Sequence, residues 1–313
     1  MGTKIFKTLD EQVEILIGKG LTIDDIEYAK DILFKENYFF LNGYRYPFVK
    51  SLDNKVYIPG TKFEELYSLF LFDRALRYII FKYVLQVENN VKSILSYQLS
   101  KKYGIKEKDY LNVNNFNYTN DKKKQINDLI NKMKRQVNNN AAQHTATKHY
   151  LDNYGYIPLW VLVKVLSFGI VSDLYLILKK EDQQDIANVY DLSIGEVSNY
   201  LSLLANYRNL CAHEDIVYEN RTKKFIFDTK YHGLLDIETI DNEFVCGKND
   251  LFALVIIFKS MLSDIEMNNF VREVSNVIEN LEYNLRSIPV DKILDRMGFP
   301  DNWEDILTCD KGE

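Results

Sequence analysis

The segment from Phe63 to Tyr103 most constrains what this chain can fold into. Along it Leu66, Leu69, Phe70, Asp73, Leu76, Arg77, Ile80, Val84, Val87, Glu88, Val91, Leu95 and Leu99 recur at helical spacing, the pattern of one long amphipathic helix. A helix of roughly 40 residues is about 60 Å long, so much of the chain must pack along it. Gly and Pro number only 13 and 5. Both interrupt helices, and their scarcity points the same way. Two pairs of opposite charge, Asp73 with Arg77 and Glu88 with Lys92, lie in the stripe or at its edge, at the i, i+4 spacing that sets side chains together. As surface ion pairs they are worth a few tenths of a kcal/mol each, roughly. A charge among apolar positions is costly unless paired or wet, which makes Glu88 and Lys92 a candidate supporting pair for a site.

Ahead of the long helix, Leu9, Val13, Leu16 and Ile17 predict a helix over 9–19 that Gly20 ends. Thr22-Ile23-Asp24-Asp25 offers the cap for a second over 25–37. Tyr38 to Phe48 is an aromatic loop closed by Gly43 and Pro47, which either packs under the long helix or joins an RNA-facing surface. Residues 1–60 are thus expected as a helical and aromatic segment packed on a core over 61–313. Residues 101–140 are the most polar part. There Lys122, Lys123, Lys124, Lys132, Lys134 and Arg135 form a basic tract, read as a solvated helix or excursion or, more sharply, as a phosphate-contacting patch.

Apolar character returns over 148–178, where Pro158 suits a first helical turn and Trp160 a core anchor. A short polar helix is expected at 182–190. Ser193 with Glu196 three residues on is the capping-box pattern, and starts a helix over 194–211. Residues 224–228 and 243–246 read as strands of a small hairpin or irregular insertion. Helices over 251–262 and 268–284 and a short helical tail over 289–303 complete an all-α expectation.

The net charge of −6 argues against a general nucleic-acid coat, since such proteins are usually basic. It leaves room for an enzyme that engages a few phosphates. Cys211, Cys246 and Cys309 are scattered without a CxxC pair, so reduced thiols are expected rather than zinc or disulfides. His144, His149, His213 and His232 lack metal-ligand spacing, and no Gly-rich phosphate loop is present. No metal or cofactor is therefore expected. Without an apolar leader over 1–14 or an apolar run of about 18 residues, the expectation is a cytoplasmic protein with no membrane partner.

One stretch gathers a fixed cation, an amide and a titratable base: Asn206-Tyr207-Arg208-Asn209-Leu210-Cys211-Ala212-His213, at the end of the 194–211 helix. Asn209 and His213, four apart, share a helical face. Arg208 and His213, five apart, lie about 140° apart around the axis. A distorted helix, a wrapped Arg side chain or a second copy of the motif across a two-fold interface must bring them together. The chemistry fits RNA cleavage. His suits proton transfer near neutral pH, a forked Arg holds the charge of a phosphorane-like transition state, and Asn209 orients His213 or a phosphate oxygen. The spacing alone is unspecific, because a lone His at a helix end is usually structural.

The order of the landmarks adds specificity. Leu9-Asp10-Glu11-Gln12 with Lys19-Gly20-Leu21, Glu36-Asn37-Tyr38-Phe39 with Gly43-Tyr44 and Pro47-Phe48, Phe72-Asp73-Arg74 with Leu76-Arg77 and Val87-Glu88, Ile157-Pro158-Leu159-Trp160 with Ser167-Phe168-Gly169, and Arg208-Asn209-Leu210-Cys211-Ala212-His213 resemble, in order, the abortive-infection (AbiD/AbiF-like) proteins of the HEPN superfamily. The resemblance spans about 9–215. It implies a HEPN-like helical bundle with an N-terminal helical extension. It also implies a metal-independent endoribonuclease with Arg208 and His213 catalytic, Asn209 accessory and Glu88/Lys92 matching an acidic-x3-basic pair on an earlier helix. The partners implied are RNA as substrate or as a bound small non-coding RNA, a second copy of the chain, and an antitoxin that restrains a growth-arresting toxin. Two readings of another class stay open: a non-catalytic module that holds a structured RNA, and an antitoxin-paired regulator. Lys164 departs from the acidic residue expected after the Trp. Glu214-Asp215-Ile216 departs from a second His and an Arg expected after His213, which leaves the RNA grip beside the motif open.

Overall fold

The computed structural model describes residues 5–51 and 55–309. It is all-α, with fifteen α-helices and one two-stranded ribbon among the described residues. Helices α1 (Leu9–Gly18) and α2 (Ile26–Glu36) pack as a pair. Thr8 and Glu11 form a reciprocal capping box on α1, and Asp25 caps α2 by accepting from the Tyr28 N–H. The aromatic stretch expected as a loop is largely helical: α3 (Tyr38–Gly43) is capped by Asn37, and a 3-10 turn spans Tyr46–Phe48. Six residues make less than two turns, too few for periodicity to show. Its aromatics divide, with Tyr44 and Phe48 buried and Phe39 and Phe40 exposed.

The long stripe is α4 (Phe63–Tyr103), 41 residues without interruption. A single turn, α5 (Glu107–Tyr110), leads to α6 (Lys123–Asn140) and α7 (Thr145–Tyr154). Then come α8 (Leu159–Val165), α9 (Phe168–Ile177), α10 (Lys180–Ala187) and α11 (Ile194–Ala212). After α11 the chain forms α12 (Lys230–Leu234), β1 (Thr239–Ile240), β2 (Glu243–Phe244), α13 (Leu251–Met261), α14 (Asp264–Asn284) and α15 (Asp291–Met297). Helices α8, α11 and α14 pack directly against α4, and α6 lies outside on α8 and α9.

Three expectations are corrected. Residues 224–228 form no strand: β1 pairs with β2, with Thr239 opposite Phe244 and Ile240 opposite Glu243. The alternation of Phe225, Ile226 and Phe227 is real, with only Ile226 buried. It comes from a segment laid beside α11, where the Asn199 amide donates to the Phe225 carbonyl at 2.9 Å. Trp160 is no core anchor, being 42% exposed, while Leu159, Val161, Leu162 and Val163 fill that part of the core. Pro158 is the N-cap of α8 and precedes its first turn.

The charges on α4 are the larger correction. Asp73–Arg77 and Glu88–Lys92 are buried ion pairs and not surface ones. Asp73 accepts from the Tyr44 hydroxyl at 2.8 Å and from the backbone N–H of Tyr218 at 2.8 Å and of Val217 at 3.1 Å. Arg77 donates to Asp73 and, at 3.1 Å, to the Tyr44 oxygen. Burial pushes the Asp73 carboxyl up to about 6, against the pull of Arg77, Tyr44 and the two amides. Near the start of α4, buried Glu65 accepts from the N–H groups of Arg286 and Ser287, both at 2.7 Å. Asp73 and Glu65 thus each fix a segment far away in sequence. Among the described residues no helix is long and apolar enough to cross a membrane.

Removing one partner of a buried ion pair strands the other. Asp73→Ala is expected to destabilise the fold by about 3–5 kcal/mol, read as a lower urea midpoint at unchanged slope.

Candidate functional site

Helix α11 carries the Arg-Asn-His motif. Ser193 and Glu196 form the predicted capping box at its start. Its inner face, with Leu203, Leu204 and Tyr207, is fully buried, and the Tyr207 hydroxyl donates to the Asp250 carbonyl at 3.0 Å. That anchor ties the motif helix to the start of α13. Arg208 leaves the buried face toward α4, with its guanidinium carbon 5.8 Å from the centre of the Phe81 ring. Its Nε is buried without a hydrogen-bond partner. Asn209 and His213 are exposed. Between them Cys211 is half-buried, and burial pushes its thiol up to about 12. It packs as a small apolar side chain, remote from thiolate reactivity.

The helix does not distort. The His213 N–H donates to the Asn209 carbonyl at 3.0 Å. Beyond it the chain closes in a Schellman turn: Glu214 N–H to the Cys211 carbonyl at 3.4 Å and Asp215 N–H to the Leu210 carbonyl at 3.1 Å. Glu214 sits at the left-handed position, φ 58°, where Gly is the usual residue. Of the three routes that could join Arg208 to His213, a local distortion is therefore excluded. The Arg208 side chain lies over Phe81, and among the described residues no hydrogen bond joins it to His213.

The turn directs 215–218 back across α4. Arg77 donates to the Asp215 carbonyl at 3.4 Å, and the Asp73 carboxylate receives the Val217 and Tyr218 amides. The crossing is close at Gly43, where a Cβ would lie 3.0 Å from the end of the Ile216 side chain and would push it aside by a few tenths of an ångström. A cavity of about 970 Å³ opens between residues 34–46, the Phe70–Arg77 part of α4 and residues 213–216, and His213 lines it. Three landmarks far apart in sequence thus meet here. Tyr44, Asp73 and Arg77, which hold the motif's exit, were not among the predicted site residues. Their signal was present in the i, i+4 pair inside the apolar stripe. Arg74 adds a two-pronged ion pair with Glu36 on the same wall.

The remaining predicted residues lie elsewhere. Lys92 pairs with Glu88 at 2.6 Å and donates to the Leu166 carbonyl at 2.8 Å, so the pair fixes the turn between α8 and α9. Glu88 Oε2 is buried without a partner. Neither side chain hydrogen-bonds to Arg208, Asn209 or His213 among the described residues. The two ion pairs share one face of α4, and Phe81, the ring under Arg208, lies between them. Glu88 stands about 10 Å along the axis from Phe81. The basic tract is on α6, whose Ile126, Leu129, Ile130 and Met133 are buried while Lys123, Lys124, Lys132, Lys134 and Arg135 are exposed and Lys122 is partly so. Among the described residues no His, Cys, Asp and Glu side chains group in threes that could hold a metal ion.

The family model for Abi-like protein matches residues 31–219. The chain belongs to this family. The match runs from α2 to the residues that close on Asp73, and so contains every wall of the cavity and the whole motif. No curated protein and no solved structure matches the chain. Membership of the Abi-like family points to abortive infection, a form of phage defence.

This geometry sets two stability outcomes. Lys92→Met is expected to cost about 3–5 kcal/mol. The double replacement Glu88→Leu with Lys92→Met is expected to cost less than that single change, which a double-mutant cycle by urea denaturation measures. Glu214→Gly removes a left-handed Cβ penalty of about 1–2 kcal/mol. Glycine's extra unfolded-state entropy offsets part of this gain, so a rise of a few degrees in Tm is expected by calorimetry.

Proposed function

We propose that this Abi-like protein is a metal-independent endoribonuclease of the HEPN type, acting as a homodimer in phage defence. The observation that carries the reading is the state of the motif within the family-matched region. Arg208 has a buried Nε with no partner, and Asn209 and His213 stand exposed at the end of α11, with His213 on a cavity wall. A purely structural motif would have its polar groups absorbed by neighbours.

One imidazole takes the proton from a ribose 2′-hydroxyl. The freed oxygen attacks the adjacent phosphorus, and the bond to the 5′-oxygen breaks as a second imidazole protonates that oxygen. The products are a 2′,3′-cyclic phosphate and a 5′-hydroxyl. Arg208 holds the equatorial phosphate oxygens, where charge develops. Asn209 shares a face with His213 and orients it. Since α11 is regular, Arg208 and His213 of one chain diverge. In an isologous dimer the patch meets its twin, and one cleft receives two of each residue. Expression of such an enzyme requires restraint, supplied by an antitoxin partner.

A second reading rests on α6. Its exposed lysines form no ion pair among the described residues, so a structured non-coding RNA could be held there without turnover. RNA that copurifies, with loss of binding on charge reversal of α6 and no cleavage of any RNA, is its signature.

The direct test is incubation of purified protein with RNA in EDTA. Arg208→Ala and His213→Ala are expected to slow cleavage by about 10²–10⁴-fold while melting like the parent chain. Equal cleavage by all three proteins would sink the nuclease assignment.

A further inference from the structure

The cavity beside His213 has two features that the motif chemistry does not use. The first is aromatic. Phe39 and Phe40 are 75% and 55% exposed, with ring centres 5.9 Å apart and edge to face, and Phe34 is 75% exposed on the same wall. Large apolar rings held open around a concavity mark a binding surface. The second is charge. Lys35, Arg74 and Arg77 on this wall are neutralised by Asp31, Glu36 and Asp73. Arg45 and Lys55, which also line the cavity, have no carboxylate partner among the described residues. Arg45 is 8% exposed and is held only by neutral oxygens, the Asn42 carbonyl at 2.8 Å and the Tyr46 hydroxyl at 3.1 Å. Beneath them Lys19 feels both: burial, then repulsion from Arg45 and Lys55, lowers its affinity for a proton. Among the described residues Arg45, Lys55 and nearby Lys19 thus form a group of cations without a carboxylate partner, while Glu214 and Asp215 line the same cavity beside His213.

Rings beside unneutralised cations suit a ligand that is flat and apolar at one end and anionic at the other. We propose that this cleft binds one unpaired nucleotide of a single-stranded RNA, its base stacked on Phe39 and Phe40 and its phosphate held by Arg45 and Lys55. The inference rests on the nuclease reading for its direction, since His213 on the same wall then receives the neighbouring phosphate. A protein partner would have to bring a carboxylate to Arg45 as well as cover the rings, because a buried unneutralised charge is costly. A phosphate removes that cost. A volume of about 970 Å³ lies at the upper end of the range for small-molecule sites, about 300–1,000 Å³. Duplex RNA does not offer an unstacked base to rings in a cleft, whereas single strands do.

The test uses the full chain as the non-cleaving His213→Ala variant and single-stranded RNA dodecamers with 2-aminopurine placed at successive positions. Fluorescence quenching is expected at a defined position. Phe39→Ala with Phe40→Ala is expected to remove that quench and weaken binding about tenfold or more. Phe39→Tyr with Phe40→Tyr, which keeps the rings, is expected to retain both. Lys55→Glu is expected to lower the slope of log affinity against log salt by about 0.7. No RNA binding, or binding and quenching unchanged in the alanine variant, overturns the proposal. So does loss of self-association in sedimentation with RNA binding intact, which would assign the rings to a protein interface. Cleavage by the unmutated chain is scored separately. Cleavage without any dependence on Phe39 and Phe40 sinks the nucleotide site alone, whereas ring-dependent stacking without cleavage sinks the nuclease reading alone.

Discussion

The carboxylate of Asp73 is the interaction on which the arrangement around the motif depends. It is fully buried, where an unpaired charge would cost several kcal/mol, roughly. It is satisfied from three directions: Arg77 on its own helix, Tyr44 from the N-terminal segment, and the amides of Val217 and Tyr218 from the chain leaving α11. These three segments lie far apart along the chain. The N-terminal aromatic segment, the long helix and the exit of the motif helix are held in one place because one acid must be solvated by protein groups. Glu65 does the same for the segment after α14, and Glu88 with Lys92 for the turn between α8 and α9.

Much of the fold was legible where periodicity had room to express itself. The α4 stripe, the Ser193–Glu196 start of α11 and the Asp25 cap of α2 all stand where pattern and cap chemistry placed them. The misreadings have physical causes. Residues 38–43 make too short a helix to show a period. Phe225 to Phe227 alternate because they lie along a helix, and alternation alone does not distinguish that from a sheet. Trp160 was read as core from its size, although the decision rests with its neighbours Leu159, Val161 and Leu162. Sequence also cannot tell a surface ion pair from a buried one at the same i, i+4 spacing, which is why Asp73 and Arg77 were passed over.

The motif itself was visible as residue types, and its five-residue spacing already stated a geometric difficulty. The regular end of α11 keeps that difficulty in full. Arg208 turns toward Phe81, His213 toward the cavity, and a tight turn with Glu214 in the left-handed position separates the helix from residues 215–218. The aromatic segment, ambiguous between packing and recognition when read alone, divides between inside and outside. Tyr44 and Phe48 are inside, Phe39 and Phe40 outside, and only the assembled fold assigns the two halves.

The partners that close on Asp73 also set when, during the life of the chain, the site comes into being. Its two amide donors lie 144 and 145 residues further along, and domains assemble from the N-terminus as synthesis proceeds. While the ribosome is still short of Tyr218, α4 carries its acid without those donors, and residues 213–216 are not yet fixed against the wall that Tyr44–Asp73 and Glu36–Arg74 hold together. The motif and its seat are completed by the same few residues. A nascent chain that ends there therefore holds the motif helix without the assembled cleft.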